Sequence, residues 1–312
     1  METDPDLETR RTGDMGVLAG ALRLLAAAPV PTDGIPRTFE ASEDALGVLT
    51  IDHIEDFLEA SLLRYPFAGL VKNGVPVPVA EYTTTKRVAA SGQSLYVDPK
   101  AVLRHFHAGA TLALRGLEQW HVPARELVRG LSAAVGAEVR ATAFLTPPGS
   151  QGLAVHRDEY HVFAVQTYGR KRWLLHGVPD DDRWRGGRIA GDATPAVDEV
   201  VEVRAGHVMF MECGTAHEAM TESEPSLHIG IGVHPPRVTD AVKSLVGQVL
   251  RSVGPDFLSL DRTAAEQQIR VAVSRVVLEL AACDAGKAAA ALFDEATALA
   301  RAPRPSFRLD RA

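Results

Sequence analysis

Apolar positions in the first part of the chain recur at helical spacing, and towards the middle they switch to the alternation of β-strands. Ile54, Phe57, Leu58 and Leu62 fall on one side of a helix over 50–64, which Pro66 ends. The segment 70–98 mixes short apolar pieces with Gly, Pro and Thr, as strands and loops do. Asp98-Pro99 is the start signal of a helix over 99–108, and a short strand, TLALRG, follows it. Leu127, Leu131 and Val135 mark another helix over 122–135, with Pro123 in the first turn, where its missing N–H leaves no bond unmade. From 138 to 235 the period becomes two. Strands are predicted over 138–145, 153–158, 161–168, 171–176, 198–203, 207–212 and 226–233, separated by Gly, Pro and Asp. After Pro235-Pro236 helical spacing returns over 238–253. A capping box, Thr263-Ala264-Ala265-Glu266, opens a helix to about 282, and an alanine-rich helix covers 286–301.

These patterns divide the chain into a flexible N-terminal segment, 1–40, a mainly β core domain with flanking helices, 41–237, and a C-terminal helical region, 238–312. Consecutive short strands of this kind suit a double-stranded β-helix, a jelly-roll barrel whose inward residues line a rigid, partly dry pocket. The Ala, Val and Leu on the outer faces of the last helices suit an interface. No internal repeat is found.

Composition narrows the function classes. With 46% hydrophobic and 23% charged residues, the chain is an ordinary globular protein. A net charge of −7 argues against general affinity for nucleic acid, although Arg170, Lys171 and Arg172 cluster, as do Arg183, Arg185 and Arg188. Two cysteines, Cys213 and Cys283, indicate no disulfide framework and fit a reducing cytoplasm. The apolar run over 16–31 contains Arg23 and falls short of the roughly 20 residues of a membrane span, so a short amphipathic helix is expected there. The acidic start, METDPDLE, is unlike a secretory signal and reads as a disordered beginning.

The candidate chemistry is His156-Arg157-Asp158, with His217 following 59 residues after the aspartate. In a strand, residues two apart share a face, so His156 and Asp158 can converge on a metal while Arg157 points away. Two histidines and a carboxylate can hold one face of a ferrous ion and leave the other open. No Ser-His-Asp or paired-carboxylate pattern competes with this set.

The frame around these residues is specific. Residues 146–163 read TPPGSQGLAVHRDEYHVF, 165–175 read VQTYGRKRWLL, 210–217 read FMECGTAH and 226–232 read SLHIGIG. Together they resemble the ribosomal oxygenase group of the JmjC/cupin superfamily of Fe(II)- and 2-oxoglutarate-dependent hydroxylases. The likeness is strong over about 142–235 and weaker over 61–135.

The resemblance makes 41–237 the JmjC/cupin catalytic domain, His156, Asp158 and His217 the iron ligands, and O2 and 2-oxoglutarate the co-substrates. It also places a basic residue fifteen positions after the first histidine to hold the distal carboxylate of 2-oxoglutarate. That residue is Lys171, which by itself also reads as a solvated charge in a basic turn. Relatives carry Asn and Tyr where this chain has Thr142 and Phe144, so a tyrosine hydroxyl that assists the co-substrate is missing here, and Thr142 offers partial compensation. The lost bond is worth about 0.5–1.5 kcal/mol.

Cys213 reads as a small side chain near the site, and Phe163 and Trp173 as core or wall. His228 reads equally as a neighbour of the ligands or as a core histidine, and His161 and His176 carry no special role. The group implies a homodimer through the helices after 238, followed by a winged helix, for which the residues to Ala312 are expected to be too few. The expected reaction is hydroxylation of an amino-acid side chain in a protein or peptide, such as an Arg or His of a ribosomal protein. Hydroxylation of a small molecule or biosynthetic peptide, N-methyl-lysine demethylation and a non-catalytic metal-binding cupin module are the alternatives. No direct nucleic-acid or membrane contact is expected.

Overall fold

The computed structural model describes residues 5–29, 35–88, 91–179, 183–253 and 257–298; for 5–13, 88, 252, 253 and 296 only the backbone is described. The chain divides into two compact units, Met1–Val135 with Val139–His234, and Gly136–Glu138 with Pro235–Ala312.

The first unit is built on two antiparallel sheets. The larger has eight strands in the order Thr38–Glu40, His207–Met211, His161–Tyr168, Ser226–His234, Glu138–Thr146, Thr111–Leu114, Ala68–Lys72 and Val75–Pro76. The smaller has five, in the order Gly187–Arg188, His156–Arg157, Ala216–Met220, Arg170–Leu175 and Glu199–Arg204. Non-consecutive strands lie side by side, which is the double-stranded β-helix arrangement. A dry core joins the sheets. Val162, Ala164, Met209 and Met211 from the larger meet Trp173, Leu175, Val201 and Val203 from the smaller.

The helices follow their start signals. Asp98 caps Pro99–His107 by accepting the Lys100 N–H at 3.0 Å. Thr50 caps Ile51–Ala60, and Val122–Val135 buries Val128, Leu131 and Val135.

Four expectations change. Where a disordered beginning was expected ahead of a short amphipathic helix in 16–31, one longer helix, Pro5–Leu25, takes in both. Its Leu18, Ala21, Leu22 and Leu25 are buried at helical spacing, and it packs on Val122–Val135, a partner that repays the ordering of the segment. Residues 1–4 and 30–34 lie outside the described residues. The strand expected over 153–158 shrinks to His156–Arg157, while an unanticipated strand, Ala216–Met220, carries His217. In the second unit the helices are Val238–Val253, Arg262–Ala281 and Ala285–Ala296, and the first packs on the other two. The middle one is capped by Asp261, not by the Thr263 box: its carboxylate accepts the Ala264 N–H at 2.8 Å, and its negative charge is favoured at a helix N-terminus. The part of the expected last helix beyond 298 lies outside the described residues.

One glycine sets the approach to the site. Gly169 joins His161–Tyr168 to Arg170–Leu175 with φ +63°, and a Cβ there would collide with the Pro225 carbonyl oxygen. Gly169→Ala is expected to destabilise the first unit by about 2–4 kcal/mol, read from urea unfolding against the wild type.

Candidate metal centre and its cavity

Strand register builds the centre. His156 and His217 are direct partners across the antiparallel pair of His156–Arg157 with Ala216–Met220, so both leave the sheet on one face and their rings stand 4.2 Å apart. Asp158 follows on the same side, while Arg157 turns away and donates to the Gly214 carbonyl at 2.6 Å. The two carboxylate oxygens of Asp158 lie 3.8 Å from His156 Nε2 and 3.8 Å from His217 Nε2. All three ligand atoms fall within 4.8 Å of one another.

The donor set fits a divalent metal. His156 Nδ1 bonds the Ala154 carbonyl at 2.9 Å, and His217 Nδ1 bonds the Thr215 carbonyl at 2.9 Å. A carbonyl only accepts, so each Nδ1 carries the proton and each Nε2 presents a lone pair. Burial, then the neighbouring His156, lowers the His217 pKa to about 3, so the imidazole is neutral as a metal ligand must be. Burial raises the Asp158 pKa, opposed by His156 and by a hydrogen bond from Tyr160. Two imidazoles and a carboxylate suit Fe(II) among the 3d cations.

The centre faces a cavity of about 340 Å³ between the sheets. Lys171 enters it by alternation. In Arg170–Leu175 the buried positions are Lys171, Trp173 and Leu175. Arg170 and Arg172 point outward to Glu224 and Glu222. Lys171 is therefore an interior residue, 3% exposed, and not a turn charge. Its Nζ donates to Thr146 Oγ1 at 2.9 Å and lies 3.4 Å from His228 Nδ1. Burial lowers its pKa to about 7. Asp158 is the one carboxylate among the residues lining the cavity, so the ammonium faces a space that favours an anion.

Thr142 and Phe144 also line the cavity, and Phe144 stacks on His228 with centroids 5.2 Å apart. Trp173 is wall, beside His217 and His228, whereas Phe163 is fully buried core. Cys213 stays outside the triad, its sulfur 3.9 Å from the Asp158 carbonyl oxygen. His161 Nδ1 accepts the Cys213 N–H at 3.2 Å, and His176 Nδ1 lies 2.7 Å from the Pro195 carbonyl; both are structural. Sequence reasoning missed Thr146, Arg140, Tyr160 and His234. Its own period-two signal marks three of them: 140, 142, 144 and 146 share one strand face, and 228, 230, 232 and 234 share another.

Residues 117–241 match the family described as JmjC domain. Over these residues the chain is similar to JmjC-domain proteins. Among curated relatives, the bifunctional lysine-specific demethylase and histidyl-hydroxylase NO66 of Drosophila simulans is 30% identical over 196 residues, covering 60% of this chain and 23% of that protein. The Drosophila mojavensis protein of the same name is 35% identical over 132 residues, covering 40% of this chain and 15% of that protein. The match thus takes in under a third of these relatives' own length. Among solved structures, YcfD, a ribosomal oxygenase from Escherichia coli in complex with cobalt and 2-oxoglutarate, shares the fold. It has a TM-score of 0.50 and 14% identity, covering 80% of this chain and 63% of that one. The JmjC match takes in the triad and Lys171.

A buried lysine without a carboxylate partner costs stability. The unfolded chain binds more protons than the folded one between pH 7 and 10.5, so stability rises with pH across that window. Lys171→Met is expected to stabilise the metal-free protein at pH 7 by about 1–4 kcal/mol and to remove Lys171's share of this rise, read from urea unfolding at several pH values.

Proposed function

We propose that the protein is an Fe(II)- and 2-oxoglutarate-dependent oxygenase that hydroxylates an amino-acid side chain in a protein or peptide. The observation that carries this reading is the placement of the His156–Asp158–His217 face and the buried ammonium of Lys171 on one cavity. His156, Asp158 and His217 would hold the iron. Lys171 would hold the distal carboxylate of 2-oxoglutarate, with Thr142 and Phe144 beside it. Iron and 2-oxoglutarate bound there supply the oxidising power, with O2 consumed, the co-substrate decarboxylated to succinate, and a C–H bond converted to C–OH.

The chain's own residues bind, orient and keep dry. The Nδ1 bonds fix both imidazoles, and Val162, Met211 and Trp173 give the cavity apolar walls. A cavity of about 340 Å³ suits the co-substrate and one inserted side chain. Histidine or arginine of a ribosomal protein is the substrate class we favour; the name histidyl-hydroxylase of NO66 supports histidine, and the name ribosomal oxygenase of YcfD supports a ribosomal target. A homodimer through the C-terminal helices is supported by exposed Val242, Leu250, Ile269, Val277 and Leu278. Among the described residues, no helix is long and apolar enough to cross a membrane. Our reading places the protein in the cytoplasm.

Anaerobic titration with Fe(II) and 2-oxoglutarate tests the proposal. A visible charge-transfer band is expected only when both are present, and His217→Ala or Asp158→Ala should abolish it. Absence of the band in folded wild-type protein would overturn the oxygenase reading in favour of a binding module. The pH dependence follows from Lys171. Only its protonated form pairs with a carboxylate, so affinity for 2-oxoglutarate is full below about 7 and falls as pH rises above it, by up to about tenfold per unit. Isothermal titration between pH 6 and 9 should show this fall in the wild type and a flat, weak profile in Lys171→Ala.

A further inference from the structure

The Lys171 end of the cavity is backed by two threonines from neighbouring strands, Thr146 of Glu138–Thr146 and Thr111 of Thr111–Leu114. Thr146 Oγ1 accepts from the Lys171 ammonium at 2.9 Å and shares a hydrogen bond of 3.1 Å with Thr111 Oγ1. Both residues are buried. Their hydrogens can be counted. Each hydroxyl carries one, the ammonium only donates, and the bond between the two threonines uses one hydrogen. One hydroxyl hydrogen is therefore left over. Among the described residues, neither hydroxyl has another hydrogen-bond partner to receive it.

The cavity decides where that hydrogen goes. Thr111 and Gly152 line it, and Thr146 does not. A Cβ on Gly152 would stand 2.9 Å from Thr111 Oγ1, so the missing side chain leaves this oxygen uncovered. A spare hydrogen on Thr146 would stay buried without an acceptor, at a cost of about 1–3 kcal/mol. The arrangement that uses every hydrogen has Thr146 donating to Thr111 and Thr111 donating into the cavity.

We propose that Thr111 is a second donor to the co-substrate's distal carboxylate, its hydroxyl on one oxygen and a Lys171 N–H on the other. The inference rests on the oxygenase reading and deepens it. Lys171 Nζ, the two threonine oxygens and the two carboxylate oxygens then close a five-membered circuit, whose corners open to nearly the tetrahedral angle of an ammonium's N–H bonds. Thr111 thereby supplies a hydroxyl to a cavity in which Phe144 offers none.

The test compares two oxoacids on the anaerobic Fe(II) protein, 2-oxoglutarate and 2-oxobutanoate, which lacks the distal carboxylate. Thr111→Val keeps the shape of the side chain and removes the hydroxyl. It is expected to weaken 2-oxoglutarate by about ten- to a hundredfold, the usual cost of losing a bond to a charged group, while Fe(II) and 2-oxobutanoate bind as in the wild type. Thr111→Ser, which keeps the hydroxyl, should restore 2-oxoglutarate binding. The fall in 2-oxoglutarate affinity above about pH 7 should keep its midpoint in Thr111→Val, because Lys171 sets it. A moved midpoint would mean that Thr111 acts through Lys171, and an unchanged ratio of the two oxoacids would mean a structural role; either overturns the proposal. Absence of a band with either oxoacid in the wild type would instead overturn the oxygenase reading beneath it.

A measurement on wild-type protein guards against a variant that does not fold. With threonine labelling and Zn(II) in place of iron, the Thr111 hydroxyl proton should move downfield with 2-oxoglutarate and stay in place with 2-oxobutanoate. The same position with both ligands would also refute the assignment.

Discussion

A one-residue slip of Ala216–Met220 against its neighbours would turn His217 out of the cavity and leave His156 and Asp158 without a third ligand. The register prevents it on both sides, because His217 is opposite His156 on one and Leu175 on the other. The second pairing links the metal face to Arg170–Leu175, and so to Lys171 and Trp173, which alternate inward with Leu175. Residue spacing of two is invariant in a strand, so one correct pairing sets the direction of every side chain at the site. The apolar core between the sheets holds the neighbouring strands in the same way, since a slip of Arg170–Leu175 would expose Trp173 and Leu175, and a slip of Glu199–Arg204 would expose Val201 and Val203.

The register places an ammonium in the interior, beside the cavity. Three features make this tolerable. Thr146 and His228 accept or face two of its hydrogens, its pKa falls to about 7, and the cavity beside it admits an anion. Such a group is poor for stability and useful for selection, because an incoming carboxylate restores a charge balance that the protein itself leaves incomplete. The metal face follows the same logic. His156, Asp158 and His217 bring two lone pairs and a carboxylate into one small space, an arrangement that a cation relieves. In the reading we propose, both halves of the site are built for ligands of opposite charge, held on strands.

Much of this was legible in the chain because it depends on short-range patterns. Asp98 before Pro99 and the Leu127–Leu131–Val135 stripe mark helices, since capping and facing are local matters. His156 and Asp158 declare a shared face through their spacing alone. The errors also have local causes. The first half of the helix Pro5–Leu25 was hidden because its charged residues show no apolar stripe; the stripe at Leu18, Ala21, Leu22 and Leu25 falls in the helix expected within 16–31, and its partner, Val122–Val135, lies far along the chain. The strand Ala216–Met220 was missed because it is short and mixed in polarity; its pairing partners, not its own residues, make it a strand.

By itself, the sequence determined the mainly β core with its flanking helices, the family resemblance, and the residue types able to hold a metal, because periodicity and motif spacing are properties of neighbours in the chain. Only the tertiary structure decided that Lys171 lies inside, that His217 stands across from His156, and that His228 and Thr146 meet the ammonium. Those facts depend on strands far apart in sequence coming into register. Hydrogen bonds and burial act over a few ångströms of space, whatever the number of residues between the partners.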